Sequence, residues 1–393
     1  MNNKSVDELL ANIFREEKKI PLRDLFEGKL KQFGISYNQA CKALKMDKKS
    51  IDPILDNKSK QVNAVNLLKL GEFLGLDVED TIQYFLENNT SEAAKELNRA
   101  KKAKFIYDNF DLKELKKIGF ISSYDLDEVA ERIRSFFNLP DIFDYIDESM
   151  VRQVAFSRSK VSSDDKMRNF WIKTAVAQFE AIDNPNDFDR DRFKQLVSRI
   201  RPYSRDVENG FFQVCQALYH AGVTVIYQSM LPKTQVRGGT FIINNKPCIV
   251  ITDLYKRYGT LWFTLLHELF HALFHLEDIK ARGFHLSGDI DLWLDNEKDA
   301  DDFARQYFVS DEKMQFIVPT INNQYMVSKY AEEWNIHPCI IYNFYAYDNN
   351  DWVRFQRYDP GLKSSVQKIN AISFDKKSVN EIVLEIKHNL ELI

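Results

Sequence analysis

Cysteine is scarce in this chain and shows no paired spacing: Cys41, Cys215, Cys248 and Cys339 are scattered through 393 residues. That argues against a disulfide framework and for free, mostly buried thiols in a reducing compartment. An apolar secretion signal is lacking too, since Met1 is followed by Asn2, Asn3 and Lys4. A cytoplasmic location is the expectation. The longest apolar stretch, Leu261 to Leu276, is broken by His267, Glu268, His271 and His275, which excludes a membrane span. Nor is there an excess of charge of one sign: 54 Lys and Arg against 58 Asp and Glu give a net charge of −4. That balance leaves no global nucleic-acid footprint, so any DNA contact must rest on a local surface. Internal repeats and low-complexity tracts are absent. What is present is ample apolar material, 44% of residues, enough for two or three domains.

Residues 30–90 have a helical pattern, with apolar positions at Ala40, Leu44, Ile51, Leu55, Leu67, Leu68, Leu70, Phe73 and Leu74. Ser36 is placed to cap a helix over Tyr37–Leu44, and Gly75 to end a later one. The charged patch from Lys95 to Lys104 suggests a first boundary near residue 95. A helical connecting region then covers 96–205, with the stretch 153–205 interrupted at Asn184, Pro185 and Asn186. The period changes at Val223–Tyr227, Thr240–Ile243 and Cys248–Thr252, where β-branched residues predict strands. The last two are joined by a turn at Asn244–Pro247 and form a hairpin, one edge of which can hold an extended peptide by backbone pairing. The stretch Val379–Ile393, within a C-terminal extension over 361–393, is amphipathic and suited to capping a domain or pairing with another chain. The fold expected is α+β, mainly helical, with a small antiparallel sheet.

The chemistry lies in Leu265-Leu266-His267-Glu268-Leu269-Phe270-His271, directly after the hairpin. Histidines four apart on a helix project from one face and can share a metal, while Glu268 stands one step round. A catalytic zinc needs three protein ligands and an open fourth position. Glu297, ahead of the apolar positions Ala300, Phe303, Ala304 and Tyr307, is the third ligand candidate on a second helix. Zinc held there would serve peptide hydrolysis, with Glu268 taking the water proton and passing it to the leaving amine. Asp301, four residues after Glu297, can accept the free ring N–H of His267 or His271. His275 lies too far along the helix to complete the site and is assigned a structural role. His337, before Pro338, is a candidate for stabilising the oxyanion, with packing as its alternative.

Leu231-Pro232-Lys233-Thr234, Gly238-Gly239-Thr240, Lys246-Pro247, Trp262 to Glu268 and Glu297 to Ala304 together resemble the ImmA/IrrE family of gluzincin-type metallopeptidases, over roughly residues 215–345. The resemblance implies a zincin-like peptidase domain, here 206–360, with His267, His271 and Glu297 on Zn2+ and Glu268 catalytic. Two positions depart from the family pattern: Phe270, where a small residue is usual, and Cys339, where glycine is common. Residues 1–95 resemble the helix-turn-helix of HigA-type antitoxins, through Phe33-Gly34-Ile35-Ser36, Ala40, Leu44, Ser50-Ile51, Leu55 and Leu67 to Leu74. Lys42, Lys45, Lys48, Lys49, Lys58 and Lys60 make the middle of this segment basic. Lys48, Lys49 and Ser50 would open a recognition helix in the major groove. Pro53 is expected to kink or shorten that helix. A bundle that mediates only dimerisation or protein contacts is the other reading of this segment.

Two functions are consistent with these features. One is a regulator that joins DNA binding to zinc-dependent cleavage of a repressor or partner protein. The other is a transcription repressor or antitoxin, with a cognate toxin as partner, whose peptidase-like domain senses or binds with little turnover.

Overall fold

The computed structural model describes residues 20–56, 58, 62–88, 92–145, 163–252, 254, 256–287, 294–370 and 377–392. The remaining residues lie outside the description, among them the segment after Met1, Lys60, and 153–162 of the expected connecting region. The chain divides into two compact units, Met1–Phe105 and Ile106–Ile393.

Among the described residues the first unit holds α1 (Leu22–Phe33), α2 (Tyr37–Leu44), α3 (Lys48–Leu55), α4 (Ala64–Leu74) and α5 (Val78–Asn88), and most of a further helix, Glu92–Asn109. Their ends follow from local chemistry. Ser36 and Gln39 form a reciprocal capping box at the start of α2, Asp47 caps α3, and Asn63 caps α4. Gly34 and Gly75 end α1 and α4 in the left-handed conformation. Phe26, Ala40, Ile51, Leu55, Leu70 and Leu74 meet in the core. Pro53 does not stop α3, which continues to Leu55. An internal proline costs about 3 kcal/mol. Burial of Ile51, Ile54 and Leu55 on the same helix offsets that at about 1.5–3 kcal/mol each.

In the second unit a four-stranded sheet has the order β1-β3-β2-β4, with β1 Thr224–Tyr227, β2 Gly238–Ile243, β3 Lys246–Ile251 and β4 Phe284–Ser287. The expected hairpin is β2–β3, and its turn residues Asn244 and Asn245 both have positive φ, as a tight two-residue turn requires. The sheet is mixed rather than wholly antiparallel, because β3 pairs β1 in parallel, Thr224 opposite Cys248. The hairpin returns the chain into the place beside β1, which puts β2 one position further out. Neither side of the hairpin is left free: β1 covers β3, and β4 covers β2, with Thr240 opposite His285.

Helix α6 (Ser163–Ile182), part of the expected connecting region, packs within this unit against α10 (Val379–Glu391), part of the expected C-terminal extension. Gln178 Nε2 donates to Gln228 Oε1 (2.8 Å) and Gln228 Nε2 to the Trp171 carbonyl (3.0 Å), which ties α6 to the end of β1. The helix that matters most is α7 (Tyr258–Phe274), laid against β2 and β3 on one side and α8 (Leu294–Phe308) on another. It buries residues all round, including Leu261, Trp262, Leu265, Leu266, Leu269 and Ala272, as a helix enclosed in a core must. Helix α9 (Pro338–Asn349) also packs on it. Among the described residues no helix is long and apolar enough to cross a membrane.

Candidate metal centre

His267 and His271 project from one face of α7, both almost fully buried, with their Nε2 atoms 3.2 Å apart. Glu297 on α8 reaches across to them, Oε2 lying 3.4 Å from His267 Nε2 and Oε1 3.3 Å from His271 Nε2. Donors about 2.0–2.1 Å from a tetrahedral zinc are separated along each edge by about 3.3 Å. The His267–His271 edge, 3.2 Å, matches that figure, and each of these histidines has one Glu297 oxygen, a different one for each, at 3.3–3.4 Å. The spacing of α7 and α8 therefore brings these side chains into a group that could hold a metal ion.

The other ring nitrogens are engaged in ways that leave Nε2 for a cation. His267 Nδ1 lies 2.8 Å from Asp301 Oδ1, one turn beyond Glu297 on α8. His271 Nδ1 lies 3.0 Å from His275 Nδ1. With Nε2 given to a metal, each Nδ1 carries the proton and donates outward, Asp301 and His275 being the acceptors. Burial lowers the proton affinity of His267, but the carboxylates of Asp301 and Glu297 outweigh it and raise the pKa to about 9. Glu297 shows the converse. Its burial favours the neutral acid, yet hydrogen bonds from His267, His271 and His285 hold it far below the ordinary carboxylate range. Burial depresses both His271 and His275.

His285 is the residue that sequence reasoning missed. It lies on β4, its Nε2 2.7 Å from Glu297 Oε1 and its ring centroid 3.9 Å from that of His271. The donor atoms of His267, His271, His285 and Glu297 all fall within 4.8 Å of one another, and this group could hold a metal ion. The available signal was only a histidine in a four-residue segment between the two ligand helices. No spacing rule covers it, because its place depends on β4 pairing with β2.

Glu268 is completely buried one step round α7 from the two histidines, against the sheet. Thr240 Oγ1 on β2 donates to its Oε2 (2.7 Å), and Ser287 Oγ on β4 donates to its Oε1. Gly238 makes room for the carboxylate: a Cβ there would stand 2.7 Å from Glu268 Oε1.

Two further expectations fare differently. His337 does not join the cluster. It caps α9, Nδ1 accepting from the Cys339 amide at 3.2 Å, and its ring meets Tyr258 at the first turn of α7. His267 is nine residues further on, about 13 Å along the axis at 1.5 Å per residue. The oxyanion role is therefore corrected to a capping and packing one. In the first unit Lys48 and Lys49 are exposed at the start of α3, with Lys48 over the Tyr37 ring at 5.2 Å. Ser50 is spent on the cap: its hydroxyl and amide both hydrogen-bond Asp47, which depresses that carboxylate.

Comparison of the chain with protein-family models, with curated proteins and with solved structures returns no match.

Proposed function

We propose that the second unit is a zinc-dependent endopeptidase acting on a protein or peptide. One observation carries the reading: a motif that supplies two histidines and a glutamate from one helix is joined by a carboxylate from a second helix whose oxygens lie 3.3–3.4 Å from the two histidine Nε2 atoms. His267, His271 and Glu297 would hold the ion, and Asp301 and His275 would orient the imidazoles. Histidine and carboxylate donors suit several first-row metals, and zinc is our assignment on the completeness of the peptidase pattern. Bound zinc would supply Lewis acidity, polarising a scissile carbonyl and acidifying water. Glu268 is the general base, taking a proton from water and delivering it to the leaving nitrogen. Thr240 steers one of its oxygens.

Elemental analysis of the purified protein tests this directly. About one zinc per chain, lost in His271→Ala and in Glu297→Ala, supports the site. Absence of zinc in the wild type, with none taken up on addition, sinks it. Glu268→Gln then serves as an inactive trap for substrates, with repressors and toxins encoded beside the protein as the first candidates.

For the first unit the proposed partner is duplex DNA, contacted at phosphates by the exposed Lys48 and Lys49. Replacing either lysine by alanine should weaken binding equally on all sequences and reduce the salt slope by about one. Binding that is unchanged in both variants would remove these lysines from the contact.

The competing reading, a sensor with little turnover, is favoured by one observation: β4 lies against both the ligands and the base.

A further inference from the structure

Successive residues of a strand alternate between faces, so positions 285 and 287 of β4 point the same way. That way is toward α7 and α8. His285 reaches Glu297 Oε1 at 2.7 Å and lies tilted against the His271 ring, while Ser287 hydrogen-bonds Glu268. On the other face Phe284 stacks on Phe241 of β2, ring centroids 5.6 Å apart, which holds the strand down. One four-residue strand therefore touches a metal ligand and the general base together. It does so from the edge of the sheet, on the side of β2 where an extended peptide would otherwise add by backbone pairing.

We propose that β4 is an internal latch on the metal centre: His285 supplies a fourth protein ligand and Ser287 ties down Glu268, so that the centre is closed in this state and opens when β4 leaves β2. The proposal rests on the zinc reading above. Its physical basis is that four protein ligands complete a tetrahedral ion and leave no position for water or substrate, the condition of a structural site, whereas hydrolysis needs that position open. The latch is reversible by construction. Three ligands on two long helices, α7 and α8, suffice to keep the ion, and the fourth comes from a short strand paired on one side only. An extended peptide that pairs with β2 would compete with β4 for the same edge and, by displacing it, free the fourth position and Glu268 in a single event. Substrate binding and activation are then the same step.

The test uses the full chain loaded with Co2+ and probed with acetohydroxamate, a small ligand that needs an open metal position. The wild type should hold one metal per chain, with a visible absorption spectrum that responds weakly to the probe. His285→Ala should also hold one metal, and its spectrum should shift saturably with an apparent Kd at least about tenfold lower, because a wild-type centre open less than a tenth of the time binds in proportion to that fraction. His285→Phe, which keeps a ring over His271 but cannot ligate, should behave like His285→Ala and guards against loss of folding in the smaller variant. Ser287→Ala should remain closed to the probe, since His285 is still in place. Equal response of wild type and both His285 variants would overturn the latch while leaving the zinc reading intact. Loss of the metal from both His285 variants would overturn it as well, by making His285 indispensable rather than displaceable. A wild type that takes up no metal overturns the zinc reading and the latch with it.

Discussion

Gly238→Ala isolates the fit between Glu268, the proposed general base, and the sheet. The new Cβ would lie 2.7 Å from Glu268 Oε1, 3.1 Å from Glu268 Cδ and 3.0 Å from Thr264 Cγ2, where ordinary contact begins at 3.4 Å. The shortfall at Oε1 is 3.4 − 2.7 = 0.7 Å. Glu268 is not free to swing aside, since Thr240 and Ser287 hold its two oxygens and the residue is completely buried. Either the carboxylate gives up a hydroxyl partner or β2 moves away from α7. Overpacking of this kind costs about 1–3 kcal/mol. A misplacement near 1 Å in a reacting group lowers turnover by about a hundredfold. The expected result is a lower midpoint in denaturant for the metal-free protein, unchanged zinc per chain, and turnover of a trapped substrate down by about two orders of magnitude. The three atoms nearest the new Cβ belong to Glu268 and Thr264 and none to His267, His271 or Glu297, which is why zinc content should hold. A variant with wild-type stability and wild-type turnover would refute the placement of Glu268 against this strand.

Other perturbations separate the roles of neighbouring groups. Asp301→Asn removes the carboxylate that accepts from His267 Nδ1 and should weaken zinc binding by about 10–100-fold in competition with a chromophoric chelator, without emptying the site at saturating zinc. An unchanged affinity would mean that His267 is oriented by packing alone. His337→Ala removes the cap of α9 and should lower stability by about 1 kcal/mol while zinc content and turnover stay at wild-type values; a selective loss of turnover would restore its oxyanion role. Burial pushes the Cys248 thiol up to about 12 and raises Cys215 and Cys339 as well, so native alkylation at pH 8 should label Cys41 alone, counted by mass spectrometry. The same shifts give a sign for stability. Unfolded thiols release their protons near 9 and folded ones only far above it, so the unfolded state is favoured as pH rises beyond 9, and the denaturation midpoint should fall there.

How far the chain could be read in advance depends on how local each feature is. The capping box at Ser36, the end of α4 at Gly75, the Asn244–Asn245 turn and the shared face of His267 and His271 each depend on residues within a few positions, and each is present. Pairing Glu297 with that face needed a second helix of the right apolar stripe, Ala300 and Ala304, which period alone reveals. Beyond that, local pattern loses its hold. Phe284–Ser287 is four residues long, and nothing within it states that Thr240 will be its partner more than forty positions earlier. The parallel pairing of β1 with β3 is hidden for the same reason, since alternation identifies a strand but not its neighbours. His285 inherits that difficulty: its chemistry is visible in the sequence, and its position only in the sheet. Pro53 shows the limit from the other direction. A local rule against proline in a helix was overridden by three buried aliphatic side chains, whose contribution comes from α1, α2 and α4 packing around them. The proposed ligands on α7 and α8 were thus legible from helical spacing and an apolar stripe. The strand that lies against them, on which the proposed latch depends, was carried by long-range pairing.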